Sequence, residues 1–176
     1  YLWALIVLGS ILLLITYFAY KNQKNIKRHL YKLSITDYLT KVSNRRHIIQ
    51  RLKELHENNQ QDFSLIMIDL DYFKSINDNY GHLIGDQVLI SISKILQLYC
   101  RDVDVIGRWG GEEFLIICRE TNVEGAMIAA EKLRAIISDH VFPRVGHKTA
   151  SFGVTLAVPD EAVEDALQRA DQALYR

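Results

Sequence analysis

The run RWGGEEF, Arg108 to Phe114, sets Gly110 and Gly111 against Glu112 and Glu113 between two strand-like stretches, VDVIG and LIIC. Asp and Glu are poor strand formers, and adjacent carboxylates repel, so the pair needs either open solvent or a cation beside it. A second acidic pair, Asp69-Leu70-Asp71, closes the apolar run FSLIMIDLD. Alone it carries little weight, because acids at strand ends are commonly solvated loop residues. Together the two pairs say more. Mg²⁺ takes one or two carboxylates, keeps waters, and completes its octahedron with substrate phosphates. A strand-end Asp and a turn Glu on neighbouring strands would supply that arrangement.

Several elements must position these acids. The turn DYLTKVSNRR leads into a helix RRHIIQRLKELHE with Ile48, Ile49, Leu52 and Leu55 on one face. FSLIMIDLD is near-continuously apolar, as a central strand covered on both faces reads. A polar, Asn-rich stretch YFKSINDNYGH follows, and then Val88, Ile92, Ile95, Leu96 and Tyr99 recur at helical spacing. VDVIGRW and EFLIIC flank the glycines as an antiparallel hairpin. VEGAMIAAEKLRAII is a helix, ASFGVTLAV a strand, and EDALQRADQALYR an amphipathic helix still running at the last residue. The order predicts an α+β domain: a central, mostly antiparallel sheet flanked by helices, with acids converging at one edge.

The 176 residues are 49% hydrophobic, enough for one domain with a real core and an additional segment. From Tyr1 to Tyr20 the chain carries no charge, and at about 1.5 Å per residue a helix of this length spans roughly 30 Å of hydrocarbon. The reading is a transmembrane helix over 1–20, against a buried core helix or a secretory signal. A basic segment over 21–35 follows directly, with Lys21, Lys24, Lys27, Arg28 and Lys32. By the positive-inside rule it would lie in the cytoplasm with everything after it, which makes the expected location an inner (cytoplasmic) membrane. The domain then occupies 36–176. The part after Lys32 holds all 21 acidic residues against 16 of the 21 basic ones, a net charge of about −5, which argues against nucleic acid as a partner. Cys100 and Cys118, both beside apolar neighbours, suit small core residues in a reducing compartment. The chain opens on Tyr, so the expectation is a fragment with further sequence upstream.

DYLTKVSNRR, DLDYFKSINDNYGHLIGD, RWGGEEF, SFGV and RADQALYR stand in the order and spacing of the GGDEF family of diguanylate cyclases, which this chain resembles from about Ser34 to Arg176. The resemblance implies a fold like the polymerase palm and the nucleotidyl cyclases, and conversion of two GTP into cyclic di-GMP with release of pyrophosphate. It places Asp69, the Leu70 carbonyl and Glu112 on Mg²⁺, with Mn²⁺ as an alternative. Gly110 and Gly111 would admit the guanosine because no Cβ stands in the way. Asn77 and Asp86 would read guanine, whose N1–H and amino group are two neighbouring donors. Lys74 and the Tyr72 and Phe73 amides would meet phosphates. Glu113 and Asp71 belong to the same motifs with roles left open between ligand, base and, for Glu113, an outward strand charge.

Each domain would hold one GTP, so a homodimer is implied. RDVD, Arg101 to Asp104, has the R-x-x-D form of the family's product-inhibition site, against an ordinary surface ion pair, with Lys132 where many members carry a second arginine. The family's C-terminal basic segment, with its triphosphate-contacting lysine, would lie past Arg176. Ile26, Leu30 and Leu33 would form a narrow helical stalk through which an upstream sensor acts, against a passive tether. A degenerate receptor binding cyclic di-GMP or GTP without catalysis is the rival to the enzyme, and a cyclase making a mononucleotide is a third reading.

Overall fold

The computed structural model describes residues 1–57, 63–158 and 161–174. The chain divides into two compact units, Tyr1–Ile35 and Thr36–Arg176. The first is one helix, α1 (Leu2–Ile35), which runs without interruption from the uncharged half into the basic half. Trp3, Leu8, Ile11, Leu12 and Phe18 are exposed along it. Among the described residues, no helix is long and apolar enough to cross a membrane. The expected span over 1–20 is helical, and nothing among the described residues supports it as a membrane span.

The second unit contains β1 (Ser43–Asn44), α2 (Arg45–Glu57), β2 (Phe63–Leu70), α3 (Phe73–Tyr80), α4 (His82–Tyr99), β3 (Val105–Gly110) and β4 (Glu113–Arg119). These are followed by α5 (Val123–Asp139), β5 (Val141–Phe142), β6 (Gly146–His147), β7 (Ala150–Leu156) and α6 (Val163–Leu174). The five-stranded sheet has the order β1-β3-β4-β2-β7. Three of its pairings are antiparallel, as expected of a mostly antiparallel sheet, and the two-residue β1 lies parallel to β3, which makes the sheet a mixed one. β5 and β6 form a separate small hairpin.

β2 is central, and every residue in it except Asp69 is buried. Period-two alternation sends its side chains to two different cores. Ile66, Ile68 and Leu70, with Phe114 and Ile116 of β4, pack against α3, α4 and α5. Phe63, Leu65 and Met67, with Leu115 and Ile117, pack against α2 and α6. The polar stretch after β2 contains α3, whose buried Phe73 and Ile76 are three residues apart on one face. On the other side of the sheet α6 lies hard against β7. A Cβ at Gly153 would stand 2.2 Å from the Ala170 carbonyl oxygen, so only glycine lets the helix approach this closely. Tyr175 and Arg176, the end of the RADQALYR block, lie outside the described residues.

Candidate active site

Asp69 and Glu113 are direct partners in the β2–β4 register. Both occupy odd positions, so alternation turns them to the α2/α6 side, together with Met67 and Leu115. Glu112 stands at the tip of the β3–β4 hairpin. The turn is irregular, since Arg108 pairs with Phe114 and Gly110 with Glu113, which bulges Trp109 out of register. Gly111 has φ 31°, and its carbonyl accepts from Arg108 Nε at 3.0 Å and Nη2 at 2.8 Å. Burial pushes the Asp69 carboxyl up, and Glu112, Asp71 and Asp171 push it further. Burial also raises Glu113, followed by Asp69, Asp171 and Glu112, with Arg45 opposing. The Arg45 guanidinium is stacked 4.3 Å above the centroid of Trp109.

Glu113 does not point away from the other acids. It shares a field with Asp69, Glu112 and Asp171, and these groups are short of positive charge. Asp171 is the acid that sequence reasoning passed over. It follows Ala170, the residue seated on Gly153, so the contact that docks α6 also brings it to the sheet edge. Among the described residues, no three His, Cys, Asp or Glu side chains form a cage that could hold a metal by themselves. A cation here would need the smaller protein share that Mg²⁺ accepts, with backbone, water or substrate oxygens for the rest.

Past Leu70 the chain turns sharply. Tyr72 adopts the left-handed conformation, φ 58° and ψ 29°, and Phe73 opens α3 with its ring buried. Leu70 pairs with Ala150. The Asp71 N–H donates to the Thr149 carbonyl at 3.1 Å. Its carboxylate accepts from Thr149 Oγ1 at 2.5 Å and from Ser151 Oγ at 2.7 Å. Lys74 is exposed on α3. Asn77 faces α4 so closely that a Cβ on Gly85 would lie 2.1 Å from its Oδ1, and the next residue is Asp86. The pair expected to read guanine therefore stands on two adjacent helices at one place.

Arg101 and Asp104 meet in a two-pronged ion pair, Nη2 to Oδ1 at 2.7 Å and Nε to Oδ2 at 3.2 Å. Arg101 Nη2 also donates to the Arg119 carbonyl at 2.9 Å and to Thr121 Oγ1 at 2.6 Å. Both residues border a cavity of about 330 Å³ that Lys132, Tyr99, Cys100 and Cys118 also line. The Lys132 ammonium lies 5.7 Å from the Tyr99 ring centroid. Burial, with Asp104 adding to it, pushes both thiols up to about 12, so they stay protonated and act as small core residues.

A further contact was not anticipated from sequence. Asp37 Oδ1 accepts from the Thr40 N–H at 2.9 Å, from Thr40 Oγ1 at 2.7 Å and from Arg108 Nη1 at 3.3 Å. Arg108 therefore bridges the domain's first turn and the glycine turn.

Comparison with known proteins matches this arrangement to a family. The profile for "Diguanylate cyclase, GGDEF domain" covers residues 34–176. Diguanylate cyclase DgcM of Escherichia coli K12 is 35% identical over 158 residues, which is 88% of this chain and 38% of that protein. Diguanylate cyclase VdcA of Vibrio cholerae is 40% identical over 150 residues, 82% of this chain and 44% of its own length. The chain thus spans less than half the length of these relatives. The coiled coil and GGDEF domain of DgcB from Caulobacter crescentus, solved in complex with c-di-GMP, superposes with a TM-score of 0.83 at 26% identity, covering 96% of this chain and 92% of that one. With the matched profile spanning the whole second unit and its acids paired in register at one sheet edge, the chain belongs to the GGDEF family of diguanylate cyclases.

Proposed function

We propose that this protein condenses two molecules of GTP into cyclic di-GMP and releases pyrophosphate. The observation that carries this reading is the in-register pair Asp69–Glu113, with Glu112 at the hairpin tip and the Tyr72–Phe73 turn one residue past Asp71. The family is divalent-metal-dependent, and carboxyls raised by burial and then by one another would suit a cation between them. Asp69, the Leu70 carbonyl and Glu112 would hold Mg²⁺, with Mn²⁺ as an alternative. When bound, the ion would neutralise the phosphates and the crowded carboxylates.

The chain's own residues supply binding and orientation. Gly110 and Gly111 leave room for the guanosine at the hairpin. Asn77 and Asp86 offer acceptors to the guanine N1–H and amino group, and a carboxylate can take both. Lys74 and the Tyr72 and Phe73 amides receive the terminal phosphates. Held this way, the α-phosphorus of one GTP is presented to the 3′-hydroxyl of another, and most of the rate comes from that alignment. One domain carries one GTP, so two copies must face each other in a homodimer. The Arg101–Asp104 pair, with Lys132 beside it, takes product and slows the enzyme. Control by an upstream sensor is supported by the unbroken α1. GTP is a cytoplasmic nucleotide, so the catalytic unit works in the cytoplasm. Attachment to an inner membrane through 1–20 is a reading of the uncharged run and its basic flank alone.

The purified protein is incubated with GTP and Mg²⁺ at high concentration, and the product is identified by mass. Cyclic di-GMP is the expected product. A protein that binds GTP or cyclic di-GMP without making product would instead be a receptor.

A further inference from the structure

The acid pair at the end of β2 divides its labour. Asp69 faces Glu113 and the other acids, whereas Asp71 turns to β7. Each Asp71 carboxylate oxygen accepts a hydroxyl, one from Thr149 and one from Ser151, and the Asp71 N–H closes a third bond to the Thr149 carbonyl. These three bonds span 78 and 80 residues of sequence and fasten the end of β2 to the start of β7. The next residue, Tyr72, is 85% exposed and left-handed, a conformation that residues other than glycine adopt only when their surroundings impose it. No side-chain cap holds the start of α3. The fastening at Asp71 is therefore what stands immediately before the turn that aims the Tyr72 and Phe73 amides.

We propose that Asp71 is a positioning residue, braced by Thr149 and Ser151, which holds the β2–α3 turn so that the Tyr72 and Phe73 amides meet the triphosphate. It acts through the turn and through neither metal nor proton. The proposal rests on the GTP-condensing reading above, and its test separates the two.

Five variants are compared: Asp71→Asn, Asp71→Ala, Thr149→Val with Ser151→Ala, and the last pair combined with either Asp71 change. An amide keeps one acceptor and adds a donor that a rotated hydroxyl can accept, so Asp71→Asn preserves the brace. It should retain turnover within a few-fold of the parent. Asp71→Ala should raise KM for GTP and lower kcat, together on the order of tenfold to a hundredfold, the scale of a small misplacement of reacting groups. Thr149→Val/Ser151→Ala should match that loss without touching Asp71, and adding Asp71→Ala should cost nothing more. The metal concentration for half-maximal activity should be unchanged throughout.

A metal ligand or general base would behave differently. Asp71→Asn would then be as inactive as Asp71→Ala, the metal requirement would rise, and Thr149→Val/Ser151→Ala would resemble the parent. That pattern overturns the proposal. Calorimetric GTP binding in Mg²⁺ carries the same comparison without turnover. A parent that binds GTP but makes no cyclic dinucleotide overturns the cyclase reading while the order of affinities still judges the brace. A parent that binds no GTP overturns both.

Discussion

Gly85→Ala separates substrate reading from folding, because the structure assigns its effects opposite signs. The new Cβ would lie 2.1 Å from Asn77 Oδ1, 3.1 Å from Asn77 Cγ and 3.2 Å from Phe73 Cζ. Ordinary contact begins near 3.4 Å, so the Asn77 oxygen must retreat by about 1.3 Å while the Phe73 ring yields by a few tenths. The colliding atom is the tip of a half-buried side chain, free to rotate away from α4 at little cost. Gly85 lies inside α4, where alanine is favoured over glycine by about 1 kcal/mol. Thermal stability should therefore hold or rise slightly. The cost falls on the nucleotide, since the turned amide no longer meets guanine. One hydrogen bond is worth roughly 0.5–1.5 kcal/mol net, which is about a 2- to 12-fold weaker GTP affinity. Calorimetry in Mg²⁺, paired with a melting curve of the same samples, reads both quantities. Unchanged GTP affinity would remove Asn77 from the pocket. A large drop in melting temperature would show that backbone, and not Asn77, absorbed the overlap.

Glu112→Gln keeps the hairpin's shape and removes one negative charge, so cyclic di-GMP formation should nearly vanish with the melting temperature unchanged; wild-type-like turnover would place the ligand elsewhere. Arg101→Ala should leave the initial rate similar and relieve the slowing as product accumulates, and an unchanged inhibition constant would reduce the Arg101–Asp104 pair to a structural clasp. The Asp37 carboxyl is pushed up by burial, but the Thr40 N–H and hydroxyl and Arg108 outweigh this and hold it below the ordinary carboxylate range. Its contribution is therefore complete above about pH 4, the unfolded value, and is lost as the pH falls through the lower folded one. Asp37→Asn should cost about 2 kcal/mol at pH 7 in urea unfolding, on the scale of a hydrogen bond to a charged group, and the gap to the parent should close in acid.

What could be read in advance follows from how each element is buried. β2 was legible because a strand covered on both faces must be apolar throughout, and α2 because Ile48 and Leu52 repeat at helical spacing. α3 escaped notice since only Phe73 and Ile76 of its eight residues are buried, too few to carry a period. β1, β5 and β6 are two residues each, shorter than any alternation can register. In the site, the acids of RWGGEEF and DLD announced themselves by type and spacing. Asp171 did not, because its arrival depends on the missing Cβ at Gly153. The bonds from Thr149 and Ser151 to Asp71 cross most of the domain and have no local signature. Nothing near Asp37 in sequence points to Arg108, 71 residues away.

Arg108 makes the start of the domain and its glycine turn answer to one side chain. Its Nη1 reaches Asp37, while Nε and Nη2 hold the Gly111 carbonyl, so the guanidinium is a rigid link about as long as itself. The donors lie in one fixed plane, so a shift at either end is felt at the other. Such a link works in both directions, because energetic coupling between two sites is reciprocal by thermodynamic necessity. If the position of the Asp37 turn changes how well GTP binds at the hairpin, GTP must bias that turn by the same factor. An occupied enzyme would then report its substrate back along the chain, toward the segment that enters the domain.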